Sequence, residues 1–107
     1  MTYNPTYAVD APDRAEIDVL PGFVLLEFGV DWCPHCQGAQ PAIAAALRDH
    51  PELCHVKIED GPGRRLGRSF RVKLWPTLIL LRDGQEMGRV VRPVASEEIR
   101  AVLAMAT

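Results

Sequence analysis

What the chain lacks narrows the field first. No apolar run approaches the roughly 20 residues of a membrane-spanning helix, so no membrane partner is expected. The first residues, Met1 to Tyr7, offer neither a basic start nor an apolar stretch, and no secretory leader is expected there. Neither sign of charge is in large excess. A net charge of −2 gives no global reason to expect nucleic acid as a partner. Three cysteines do not make a disulfide framework. The chain therefore reads as cytoplasmic, where a disulfide is transient and catalytic; the mature form of a secreted chain would read the same way. Internal repeats and low-complexity tracts are missing as well. What is there is 107 residues, 48% hydrophobic and 24% charged, which suits one domain, 1–107, around one packed core.

Two of the three cysteines carry the chemistry. An apolar run, Phe23–Phe28, leads towards Cys33 and Cys36, and an Ala-rich segment with helical spacing leaves them. Two intervening residues, Pro34 and His35, let both sulfurs lie in one helical turn, close enough to form a disulfide. Cys33 falls at the helix N-terminus, where free N–H groups and the helix dipole favour a negative sulfur. That makes Cys33 the expected nucleophile. Cys36 lies deeper, and it would attack Cys33 in a mixed disulfide to release the reduced partner. A zinc knuckle is the competing reading of the pair, but zinc wants four ligands. His50, Cys54 and His55 could complete the set only if the fold gathered them. No metal and no cofactor are expected.

The remaining segments read as alternating strands and helices. Asp10 is the expected N-cap of a short helix with Pro12 in its first turn, stopped by Pro21 and Gly22. Tyr3 and Tyr7 belong to a short edge strand or to an unpaired arm. Phe23–Phe28 is a buried central strand, apolar except at Glu27. The main helix runs from Pro34 to about Arg48, with Ala39, Ala42, Ile43, Ala46 and Leu47 on its inner face. Pro41 should bend it. Leu53–Glu59 is a second strand, 60–63 a loop, and Arg64–Phe70 a short helix turning Leu66 and Phe70 inward. Thr77–Arg82 and Gln85–Val91 form a hairpin about Asp83 and Gly84. Ser96 is expected to cap a last helix carrying Ile99, Val102 and Leu103. Cys54 is expected to be a buried free thiol. Arg64, Arg65, Arg68, Arg71 and Lys73 form a local basic run, read as a solvated face or as a docking surface for an acidic partner.

Trp32, Cys33, Pro34, His35 and Cys36, following a hydrophobic strand, resemble the active site of the thioredoxin superfamily. Val72–Leu81, with Trp75-Pro76-Thr77 inside it and Asp83-Gly84 after it, resembles that family's cis-proline strand and hairpin. Pro41, five residues after Cys36, falls where the family's long helix kinks. The resemblance implies an α/β thioredoxin fold, a central mixed β-sheet of four to five strands flanked by helices on both faces. It implies a thiol–disulfide oxidoreductase acting on protein disulfides or dithiols, monomeric, with a thioredoxin-reductase-type electron donor. A competing class is a thioredoxin-like assembly chaperone that binds one client with redox incidental. Glutaredoxin-like use of glutathione is a third.

The resemblance also assigns the remaining site residues. Pro34-His35 is similar to the dipeptide of the bacterial periplasmic disulfide oxidant. A protonated His35 would stabilise the Cys33 thiolate and make the couple more oxidising; an exposed ring with little effect is the other reading. Glu27 stands where the family carries a buried acid that moves protons to and from the second cysteine. Burial would raise its pKa and suit it to general-base work. Its other readings are a solvent-facing strand acid or a partner of Lys57. Pro76 should be cis, aiming the Trp75 backbone at Cys33, where N–H and C=O could pair with an extended substrate. Trp32 and Trp75 would form an apolar lip, with Thr77 and Arg92 completing the substrate-binding set. Gly29 and Arg92 depart from the family pattern and point to a different choice of partners.

Overall fold

A computed structural model describes residues 3–106; Met1, Thr2 and Thr107 lie outside the described residues, so the opening stretch is tested from Tyr3 onward. The elements are α1 (Arg14–Asp18), β1 (Phe23–Gly29), α2 (Pro34–Leu47), β2 (Cys54–Glu59), α3 (Arg65–Ser69), β3 (Thr77–Arg82), β4 (Gln85–Val91) and α4 (Ser96–Leu103). The sheet order is β2-β1-β3-β4. Strands β1 and β2 run parallel, while β3 is antiparallel to both β1 and β4. Asp83 and Gly84 both have positive φ, which suits the tight turn of the β3–β4 hairpin.

Side-chain alternation along β1 builds two different faces. Val24, Leu26 and Phe28 face α1 and α3, where they pack with Ile17, Ile58, Leu66, Phe70, Ile79 and Leu81. Leu25 faces the other way, into a core with Ile43 and Leu47 of α2, Leu78 and Leu80 of β3, and Ile99 and Leu103 of α4. Glu27 and Gly29 share that second face by the same alternation. Helix α2 buries Cys36, Ala39, Ile43, Ala46 and Leu47, a spacing of three and four residues that keeps one stripe inward. The sheet of four strands with helices on both faces is the architecture expected from the sequence.

Several local expectations are corrected. Helix α1 is capped by Asp13, not Asp10, and Pro12 stands before it. The Asp13 carboxylate accepts from the Glu16 amide at 2.8 Å while Glu16 accepts from the Asp13 amide at 3.1 Å, a reciprocal cap that the earlier acid cannot match. Ser96 does not cap α4. Ala95 holds that position, and Glu98 reaches back to the Val94 and Ala95 amides at 2.8 and 3.1 Å, which puts Ser96 inside the helix. Cys54 is exposed, not buried, because Leu53 takes the inward place as the chain enters β2. The arm from Tyr3 makes neither a full strand nor a free end. Ala8 alone bridges Ile58 on the outer edge of β2, with bonds from Ala8 N to the Lys57 carbonyl and from Glu59 N to the Ala8 carbonyl.

Candidate active site

Strand β1 delivers the chain to α2 through Val30, Asp31 and Trp32. Cys33 is the N-cap of α2, in extended backbone, and its sulfur accepts from the Cys36 amide at 3.4 Å. Pro34 suits the first helical position, where no N–H is needed and its fixed φ is already helical. Both cysteines are free thiols. Cys33 keeps 6% of its surface exposed and Cys36 none, so one sulfur can meet a partner and the other only its neighbour.

The two thiols differ in acidity for identifiable reasons. Burial pushes Cys33 up. The Cys36 amide, the Cys36 thiol, the His35 amide and the positive charge of Arg92 act against it and hold Cys33 below the ordinary thiol value. Position 35 thus contributes its backbone N–H, its side chain is exposed, and the positive charge comes from Arg92. Cys36 goes the other way. Burial and the neighbouring Cys33 push it up to about 11, against the Val30 backbone and the Tyr7 hydroxyl, which lower it.

Beneath Cys36 lies a buried polar cluster. Glu27 is fully buried, so the solvent-facing reading is excluded. Its Oε1 accepts from His55 Nε2 at 2.9 Å, and its Oε2 accepts from the Tyr7 hydroxyl at 2.6 Å and from Gln40 Nε2 at 2.9 Å. The His55 tautomer follows from its other nitrogen. Nδ1 accepts the Asn4 amide proton at 2.9 Å, so Nε2 carries the ring hydrogen and donates to Glu27. The expected rise in the Glu27 pKa is therefore reversed. Burial raises it, but the bonds from His55, Tyr7 and Gln40 outweigh burial and hold the carboxyl below its ordinary value. Lys57 does not bond Glu27 directly. Its ammonium donates to Gln40 Oε1 at 2.8 Å and to the Pro5 carbonyl at 3.1 Å, and it lies 4.3 Å from the Tyr7 ring centre.

The outer wall comes from the segment that enters β3, beside the end of β1 that leads to the cysteines. Trp75–Pro76 is cis, as expected, and Trp75 packs against the cluster of Tyr7, Val30, Cys33 and Cys36. Trp32 is 72% exposed and meets Trp75 edge-on, with ring centres 5.9 Å apart. Trp75 Nε1 donates to Asp60 Oδ2 at 2.8 Å. Gly67 makes room for that carboxylate, since a Cβ there would come within 2.4 Å of it. Thr77 is buried with its hydroxyl donating to the Leu74 carbonyl at 2.6 Å, so this group secures the loop and is not presented to a substrate. Arg92 Nε donates to the Trp75 carbonyl at 2.9 Å, and Arg92 N to the Pro76 carbonyl at 2.9 Å. The Trp75 carbonyl thus already accepts one hydrogen bond, from Arg92. Pro34, His35, Arg92, Pro93 and Val94 line a shallow groove of about 180 Å³ beside the cysteines.

Three residues of this arrangement escape a linear reading: Tyr7, His55 and Gln40. The β1–β2 register could have suggested one of them, because it sets His55 beside Leu25 and Lys57 beside Glu27 on the face that carries Glu27. Among the described residues, no group of three or more His, Cys, Asp or Glu is placed to hold a metal ion, and no helix is long and apolar enough to cross a membrane.

Residues 11–105 match the family model described as Thioredoxin. The thioredoxin of Chlamydia trachomatis serovar D is 33% identical over 70 residues, 65% of this chain and 69% of that protein. The structure of thioredoxin 2 from Pseudomonas aeruginosa PAO1 in its reduced form is 55% identical, covers 94% of each chain and superposes with a TM-score of 0.85. Fasciola hepatica thioredoxin is 19% identical, with a TM-score of 0.70 over 87% of this chain and 86% of that one, a likeness of fold alone.

Proposed function

This chain belongs to the thioredoxin family of thiol–disulfide oxidoreductases, and from that premise we propose that it exchanges disulfides with protein substrates through Cys33 and Cys36. The observation that carries the reading is the placement of two free thiols in one helical turn, Cys33 at the N-cap with an exposed edge and Cys36 fully buried, beside the Trp75–Pro76 loop. The Cys33 thiolate attacks one sulfur of the partner's disulfide. The other partner sulfur leaves as a thiolate, and a Cys33 mixed disulfide remains. Cys36 loses its proton, attacks the Cys33 sulfur and releases the second partner thiolate. The protein is now oxidised by two electrons and the partner reduced by two. An electron donor of the thioredoxin-reductase type returns Cys33 and Cys36 to the dithiol.

Glu27 is the base that accepts the Cys36 proton in this reading. The bonds from His55, Tyr7 and Gln40 keep the carboxylate ionised and free of a proton, and the same bonds make it a weaker base than a carboxyl of raised pKa. Trp32, Trp75 and Arg92 form the docking lip, with the Trp75 amide pairing to an extended substrate segment. The shallow groove favours a peptide over a small molecule with a deep pocket of its own.

The couple is more oxidising than an ordinary thioredoxin. The Cys36 and His35 amides and Arg92 stabilise the Cys33 thiolate, which exists only in the reduced form. Its potential should lie above the roughly −270 mV of thioredoxin and below the roughly −120 mV of the periplasmic oxidant. Equilibration with glutathione gives that value directly, and a potential at or below thioredoxin's overturns this part. Insulin disulfide reduction tests the activity. Wild type should precipitate insulin chains, Cys33→Ser should not, and Cys36→Ser should accumulate mixed disulfides. Unchanged client binding without any insulin reduction by the wild type would instead make the chain a binding module.

A further inference from the structure

Cys36 and Glu27 are separated in the structure by one side chain. The Tyr7 hydroxyl donates to Glu27 Oε2 at 2.6 Å. The Cys36 sulfur lies on its other side, close enough for the two groups to act on each other's acidity. A Cβ built on Gly29 would lie 2.6 Å from the Tyr7 oxygen and 2.6 Å from the Cys36 sulfur, so the two atoms flank one bare α-carbon. The same contact lowers the Cys36 pKa. Tyr7 itself is 5% exposed, and Cys36 and Glu27 are fully buried, so bulk water is kept from the path between them.

We propose that Tyr7 is a catalytic proton relay, carrying the Cys36 proton to Glu27 through its phenol oxygen. The inference rests on the reading of Glu27 as the base, and adds the route. In the dithiol state the Tyr7 proton points at the Glu27 carboxylate, and a phenol oxygen keeps lone pairs with which to accept the Cys36 S–H. During resolution the thiol proton moves to the Tyr7 oxygen as the phenol proton moves to Glu27 Oε2. The products are a Cys36 thiolate, a neutral Tyr7 whose O–H now faces that thiolate, and a neutral Glu27 acid. The thiolate attacks Cys33, and the partner thiolate leaves. Glu27 then returns the proton along the same path when the dithiol is regenerated, or loses it to solvent.

The surroundings keep Tyr7 a relay and not an acid. Burial, the Glu27 charge and Cys36 all raise its pKa far beyond the ordinary phenol range, so a free phenolate does not form. The charged and titratable groups packed on it are Glu27 from β1, Lys57 from β2 and Cys36 from α2. Gln40 and His55 donate to Glu27 and fix the carboxylate plane towards Tyr7. The relay exists because two remote features coincide. The bridge of Ala8 to Ile58 carries the arm along β2, and position 29 has no side chain to stand in the gap.

Reaction with the dithiobis(nitrobenzoate) reagent separates the two steps. Attack by Cys33 releases one nitrothiophenolate, and attack by Cys36 on the Cys33 adduct releases the second. Tyr7→Phe keeps the ring and should slow only the second release near neutral pH, by about tenfold or more, with the deficit closing as pH approaches the Cys36 value of about 11. Glu27→Gln should behave alike, and the double variant should be no slower than the slower single variant. Gly29→Ala, which keeps every functional group but drives a methyl between sulfur and phenol, should slow the second release too. An unchanged first release in each variant reports an intact Cys33 site. A slow Glu27→Gln beside a normal Tyr7→Phe overturns the relay and leaves the base. Normal second releases in both overturn both. Slowing that multiplies in the double variant shows two independent effects and also overturns the relay.

Discussion

The two faces of β1 bury very different things. Val24, Leu26 and Phe28 enter a layer under α1 and α3 that is apolar throughout its buried members. One residue out of phase, Glu27 enters the α2 side and meets Tyr7, Gln40 and His55, each bonded to it. Both faces exclude water and both are tightly filled. The first relies on shape and transfer from water, which is tolerant of chemistry. The second is apolar around Leu25, but around Glu27 it relies on hydrogen bonds in a low-dielectric interior, which is intolerant of a missing partner. The contrast places the polar cluster on the one sheet face that lies beneath Cys36, where the proposed proton route runs.

Truncation of the apolar face should have the largest effect on stability. Phe28→Ala should cost about 3–5 kcal/mol in urea unfolding, while the nitrothiophenolate release of the folded fraction stays near wild type. A large change in the second release would mean that the faces are not separable. Next comes Glu27→Leu, which leaves the Tyr7 hydroxyl, the His55 Nε2–H and one Gln40 N–H without their acceptor and should cost roughly 2–4 kcal/mol. Glu27→Gln keeps one acceptor oxygen and should cost less. Equal stability of Glu27→Leu and wild type would erase the distinction between the faces.

Arg92→Ala sharpens the comparison from outside, since Arg92 acts on the outer thiol, Cys33, and not on the cluster. The midpoint for Cys33 alkylation against pH should move up, the rate near pH 6 should fall by a few-fold, roughly the effect of one partly exposed charge, and the potential should become more reducing. An unmoved midpoint would remove Arg92 from the account of Cys33 acidity. A further effect is in alkaline stability. Cys36 is raised in the folded dithiol to about 11 from the ordinary 9.0. Between those values the unfolded chain has lost a proton that the folded chain keeps, so stability falls as pH rises through this window. The loss should be smaller in Cys36→Ser, and identical pH slopes in the two proteins would contradict the shift.

How much was legible in the sequence follows the same division. Cys33, Cys36 and Trp32 are set by covalent spacing on a strand-to-helix junction, and Pro76 with its hairpin by resemblance, so these could be read in line. The apolar face could be read too, since alternation in Phe23–Phe28 and the periodicity of α2 are local patterns. The polar cluster could not. Tyr7 joins Glu27 across twenty residues through a single-residue bridge, and His55 across twenty-eight through parallel pairing. Glu27 was found, but the sign of its pKa shift was not, because three donors from three other segments decide it. Asp13 and Glu16, by contrast, carried the true start of α1 in plain view: an acid and a glutamate three apart outdo an isolated Asp10.

The pair of indoles has a practical consequence. Trp32 and Trp75 are the two tryptophans of the whole chain, and both stand at the rim of the dithiol with their rings edge-on. Indole emission from this molecule, excited beyond the tyrosine band, therefore originates wholly at its reactive corner. Opening or closing the sulfur–sulfur bond should change the intensity, so each turnover can be followed by its own glow with no dye attached.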